Sequence, residues 1–78
     1  MSNNDNRPHF DMVPLNSTSI SSAGYDEASE TLAIEFNSGK TYYYSEVPET
    51  VFEELKSAES PGKFFSTQIK DVYNFEKD

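Results

Sequence analysis

Hydrophobic and polar positions alternate most clearly in 31-TLAIEFN-37, where Leu32, Ile34 and Phe36 take every second place. Successive side chains of a strand point to opposite faces, so this pattern predicts a half-buried strand. A second candidate, 40-KTYYYSE-46, follows after Asn37-Ser38-Gly39. A three-residue turn with Gly in the left-handed position joins such strands into a hairpin. That register sets Phe36 opposite Lys40, Ile34 opposite Tyr42 and Leu32 opposite Tyr44. Residues opposite one another share a face. Tyr42 and Tyr44 therefore join the apolar face, and Tyr43 lies on the other with Ala33, Glu35 and Thr41. An earlier strand is read in 17-STSISSAGYD-26, where Ile20 and Tyr25 share a face only if a bulge intervenes, placed near Gly24.

The period then changes. In 47-VPETVFEELKSA-58, Val51, Phe52, Leu55 and Ala58 form one helical stripe, with Pro48 suited to the first helical position. A second helix is read in 60-SPGKFFSTQIKDVY-73, with Ser60 as N-cap, Pro61 after it, and Phe65, Ile69 and Val72 on one face. The predicted fold is α+β: a three-stranded antiparallel meander with two C-terminal helices packed on one face (β-β-β-α-α) and the other face open. Residues 1–16 are read as a flexible N-terminal arm with Val13 and Leu15 docking at its end, 17–73 as the domain, and 74–78 as a frayed tail.

Composition narrows the chemistry. Seventy-eight residues hold one domain at most. Aromatics make up 14% of the chain against 35% hydrophobic overall, so the core must lean on Phe and Tyr. Cysteine is absent and His9 is the sole histidine, which argues against a thiolate or transition-metal site and against a Ser/His triad. The acidic pairs lack the spacing of a calcium loop, and no cofactor motif is present. The chain is therefore read as a non-enzyme with no metal and no cofactor. No apolar run approaches the ~20 residues of a membrane span, and a cytoplasmic monomer is expected.

The formal net charge of −8 repels polyanions at long range. It is uneven: residues 1–59 carry Arg7, Lys40 and Lys56 against eleven acids, whereas Lys63, Lys70 and Lys77 balance Asp71, Glu76 and Asp78 in the remainder. The candidate ligand-binding residues are Tyr43, an aromatic on an open sheet face able to stack on a base, with Lys40, Lys63 and Lys70 to neutralise phosphates. The bland alternative is a strand-forming tyrosine and a solvated helix face.

The order 17-STSI-20, 24-GYD-26, 32-LAIEF-36, 39-GKTYYYSEVP-48 and 58-AESPGKFFSTQIK-70 resembles the KTSC domain over about residues 16–73. That family is named for the C-terminal end of some lysyl-tRNA synthetases and occurs as small bacterial proteins. The matching positions are Gly24, Tyr25, Asp26, the Tyr-x-Tyr pair Tyr42 and Tyr44, Val47, Pro48, Ser60, Gly62 and Phe65. The resemblance implies a binding module of unestablished activity, with RNA or tRNA as the suggested partner. This chain departs from the pattern at Ser66, where Asn is usual, and in a tail poor in basic residues. The alternative is a protein-interaction module that offers its acidic surface or open sheet face to a basic partner.

Overall fold

The computed structural model describes residues 10–77. A five-stranded antiparallel sheet runs in chain order through β1 (Val13–Pro14), β2 (Ile20–Asp26), β3 (Thr31–Phe36), β4 (Thr41–Tyr44) and β5 (Phe75–Lys77). Between β4 and β5 the chain forms α1 (Glu49–Ser57) and α2 (Pro61–Gln68). The class is α+β as expected. The sheet gains a strand at each edge, and the chain ends in a strand rather than a helix.

The central hairpin keeps the predicted register. Leu32 faces Tyr44, Ala33 faces Tyr43, Ile34 faces Tyr42 and Glu35 faces Thr41. Gly39 takes a φ of +96°, which an L side chain resists, and its amide closes the turn on the Phe36 carbonyl at 2.8 Å. The bulge in β2 is real but sits between Ile20 and Ser22, not near Gly24. One extra residue at that point returns Ile20 to the face of Ala23 and Tyr25. Gly24 pairs regularly with Ala33 and has a different task.

That task concerns the second face of the sheet. A Cβ on Gly24 would meet Met12 Sδ at 2.7 Å, Phe10 Cβ at 3.1 Å and the Asp11 carbonyl at 3.2 Å. Phe10 also lies against the Tyr43 ring, with centroids 5.6 Å apart. Residues 10–12 thus cross the face expected to be open. Ala33, between Gly24 and Tyr43, is only 1% exposed. β1 then pairs with β2, and the Leu15 amide bonds the Ser21 carbonyl at 3.1 Å. The remainder of the expected arm, residues 1–9, lies outside the described residues.

The apolar face carries the core, with Ile20, Ala23, Leu32, Ile34 and Tyr44 from the sheet, Val47 from the loop and Phe52, Leu55, Phe65 and Ile69 from the helical region. Tyr25 ties α1 down: its hydroxyl donates to the Val47 carbonyl at 2.6 Å and its ring stacks on Phe52 at 5.5 Å. α1 starts one residue later than Pro48 would in the predicted place, with Pro48 as the extended N-cap.

α2 ends well before Tyr73. Ser60 caps it as expected, its hydroxyl accepting from the Lys63 amide. At the other end, Thr67 bonds back to the Lys63 and Phe64 carbonyls, and both Ile69 and Lys70 amides converge on the Phe65 carbonyl. The Lys70 amide thus reaches five residues back instead of four, a π-type turn at which the regular α-helical ladder stops. Ile69 still reaches the core, but Val72 is left 60% exposed rather than on a buried helical face. The turn sends the chain back antiparallel to β4, where Phe75 pairs with Tyr44 and Lys77 with Tyr42. Within the tail 74–78, expected to fray, Phe75–Lys77 form a strand that pairs with β4, and residue 78 lies outside the described residues.

Two outcomes follow for stability. Tyr44 is 1% exposed, so Tyr44→Ala should cost about 3–5 kcal/mol in chemical denaturation, as large aromatic truncations in cores do. Half-buried Tyr42 should cost less than Tyr44, and equal losses at both would contradict this packing. Gly24→Val should lift residues 10–14 off the sheet. Hydrogen exchange at the Leu15 amide should then accelerate while β3–β4 amides keep their protection.

Candidate functional site

On the apolar side, the β4–β5 edge of the sheet and α2 do not close completely against each other. They leave a groove of about 680 Å³. Its floor is aromatic: Phe36, Tyr42, Tyr44, Phe65 and Phe75. These rings hold one another in fixed geometry. Tyr42 stacks on Phe75 at 5.2 Å, Phe36 meets Tyr42 edge-on at 5.3 Å, and Phe65 meets both Phe36 (5.3 Å) and Tyr44 (5.5 Å) edge-on. Tyr44 is sealed beneath, whereas Phe75 is 46% exposed and presents ring surface to solvent. Lys40, from the β3–β4 turn, and Lys70, from the turn after α2, stand at the rim with Asp71.

A second cavity of about 420 Å³ adjoins it across the first turn of α2. Its lining is rich in hydroxyls, from Ser17, Thr18, Ser19, Ser60 and Ser66, with Lys63 and Glu59. Ser19, Gly62 and Ser66 border both cavities. Gly62 permits this closeness: a Cβ there would stand 2.8 Å from Ser19 Oγ and 3.3 Å from Ser17 Oγ. Ser17 Oγ accepts from the amides of Ser19 and Ile20, at 3.2 Å each, which sets the loop entering β2.

The expected site residues are therefore divided. Lys40 and Lys70 meet in the aromatic groove, and Lys63 lies in the adjoining cavity. Tyr43 is on the opposite side of the sheet, against Phe10. Lys63 belongs to α2, Lys70 follows the end of that helix at Gln68, and Lys77 belongs to β5. Sequence reasoning missed Tyr42 and Phe75 as groove residues. The available cue was Phe75 itself, an isolated large apolar residue in a polar tail.

Acidic side chains gather around Tyr25. Tyr25 has its pKa raised first by burial and then by Glu30, Glu49, Glu27 and Asp26, which gather at the β2–β3 turn end. The groove runs along the β4–β5 side of the sheet, from Lys40 at the β3–β4 turn to Phe75, which lies in the same cross-strand row as Tyr44, Leu32 and Tyr25. Among the described residues, the ion pair present joins Lys56 to Glu53 at 3.3 Å, and Lys40, Lys63 and Lys70 are in none. No group of three or more His, Cys, Asp or Glu that could hold a metal occurs among the described residues. No helix there is long and apolar enough to cross a membrane.

A one-sheet α+β domain with a two-helix cover and an aromatic groove at its edge is the class of protein these features define. The KTSC domain family matches residues 16–73, and the chain belongs to that family. It is similar to a small protein of Tsukamurella paurometabola, 48% identical over 59 residues that cover 76% of this chain and 88% of the relative. It is 37% identical over 68 residues to a lysine–tRNA ligase of Nostoc punctiforme, covering 87% of this chain but 12% of the ligase. A crystal structure of a KTSC domain protein from Yersinia pestis superposes with a TM-score of 0.86 at 36% identity, over 90% of this chain and 99% of that one.

The buried floor makes a pH prediction. Burial, followed by the neighbouring Tyr42 and Asp71, pushes the Tyr44 hydroxyl from 10.0 up to about 12. A group whose pKa is raised on folding contributes stability below its unfolded pKa and loses it as pH rises through the folded one. Stability should hold up to pH 10 on this account and fall between 10 and 12. Denaturation midpoints across that range should drop less steeply for Tyr44→Phe, with late tyrosinate absorbance reporting the buried phenol.

Proposed function

We propose that this KTSC domain is a non-enzymatic binding module that engages single-stranded RNA or a single-stranded part of tRNA through the aromatic groove. The observation that carries the reading is the convergence of Lys40 and Lys70, with Asp71 as the one carboxylate among the lining residues, on a floor of partly exposed rings. Aromatic side chains stack on any base, and lysines at the rim neutralise the backbone. Against the net charge of −8, the acids around Tyr25 stand on the β2 side of the sheet, whereas the groove opens on the β4–β5 side, where Lys40 and Lys70 outnumber the one lining carboxylate, Asp71. The relation to part of a lysine–tRNA ligase, an enzyme named for tRNA, points the same way. Tyr42 and Phe75 take the stacking role in this proposal, with Lys63 as a further phosphate contact. Tyr43, on the other face, serves as the control.

A second reading rests on the acidic end formed by Asp26, Glu27, Glu30 and Glu49, which suits a basic protein partner.

An amide-shift titration of labelled protein with mixed tRNA and with a short single-stranded RNA, at low and at physiological salt, tests the first reading. Shifts should gather on Lys40, Tyr42, Lys70 and Phe75 and fade with salt. Lys40→Ala and Lys70→Ala should each reduce the slope of log affinity against log salt by about 0.7, the single-strand value per contact. Tyr43→Ala should leave affinity unchanged, and a loss there would move the site to the other face. A flat response even at low salt would set RNA aside in favour of the acidic end.

A further inference from the structure

We infer that the two adjoining cavities form one bipartite site for a nucleoside 5′-monophosphate unit, base in the aromatic groove and sugar–phosphate in the hydroxyl-lined cavity. This deepens the RNA reading and rests on it for the identity of the base-bearing partner. The volumes, about 680 and 420 Å³, lie within the ~300–1,000 Å³ usual for small-ligand sites. Their chemistry is complementary and unequal. One offers ring faces at Tyr42 and Phe75, which suit a planar heterocycle. The other offers the hydroxyls of Ser17, Thr18 and Ser60, which suit a ribose, and the Lys63 ammonium, which suits a phosphate and stands with the Glu59 carboxylate in the same lining.

The junction supports a single ligand over two. Ser19, Gly62 and Ser66 border both cavities and form a low ridge of small residues between them, which one ligand lying across the surface can span. Gly62 packs directly on Ser19, where a Cβ would stand 2.8 Å from Oγ, which keeps that ridge narrow and free of a projecting side chain from α2. A ligand with an apolar planar end and a polar anionic end has the same order of chemistry as this surface. A mononucleotide free in solution and one unit of a single strand share that order.

Affinities for a nucleoside, its 5′-monophosphate, inorganic phosphate and a short single-stranded RNA, measured with amide shifts, separate the outcomes. The monophosphate should bind at least about tenfold more tightly than the nucleoside and move amides of both groups, Lys40 and Phe75 with Ser19 and Lys63. Lys63→Ala, a substitution at an exposed position, should collapse that ratio towards one while nucleoside binding persists. Tyr42→Leu should weaken nucleoside and monophosphate alike. RNA binding without movement at Ser19 and Lys63, or equal affinity for nucleoside and monophosphate, overturns the bipartite site and leaves the RNA reading standing. Bipartite monophosphate binding with no response to RNA keeps the site and removes the RNA reading. Silence from all the compounds removes both.

Discussion

The structure depends on the burial of Tyr44. Its backbone stands between Leu32 of β3 and Phe75 of β5, and its ring touches Phe65 of α2. One side chain therefore joins the sheet's centre, its last strand and the second helix. With only 35% of residues hydrophobic, the chain has few large apolar groups to spare, and aromatic rings carry much of the load per residue. The buried core supplies the rest through Leu32, Ile34, Leu55 and Ile69. The phenol is held neutral by the same burial that makes it valuable.

That constraint also creates the candidate site. The rings beneath hold one another edge-on, Phe65 against both Phe36 and Tyr44, and the space between the sheet edge and α2 above them stays open. Tyr42 and Phe75 occupy the mouth of that space, and Lys40 and Lys70 arrive from turns on either side. The second face follows a different rule. It is built of small or polar residues, Ser22, Gly24, Ala33 and Glu35, with Ser22 donating to Glu35 at 3.0 Å. Such a face allows the backbone of residues 10–12 to lie directly on it. The two faces thus divide the work: one is occupied by the chain itself, and the other retains accessible aromatic surface.

Local pattern was enough for the elements whose information is local. The alternation of Leu32, Ile34 and Phe36, with Gly39 at the turn, specified the central hairpin and placed Tyr42 and Tyr44 inward, because a period of two admits one register once the turn length is set. Ser60 before Pro61 marked the start of α2, because a cap is a matter of neighbouring atoms. The family, too, was legible in the ordered motifs from Gly24 to Phe65. Edge strands were not. Val13–Pro14 and Phe75–Lys77 are too short for periodicity, and each is a strand only because an unpaired edge of β2 or β4 is there to receive it. The end of α2 was hidden for a related reason, since the apolar spacing of Phe65, Ile69 and Val72 continues past the point where the chain must turn to reach β4. The site was half legible: residue type nominated Lys40, Lys63 and Lys70, and an exposed-face argument nominated Tyr43. Composition and period determined the class of fold, the inward tyrosines and the cations. Tertiary structure alone decided that Phe10 covers Tyr43 and that Phe75 joins Tyr42 beneath two lysines, because contacts between segments more than thirty residues apart leave no trace in local spacing.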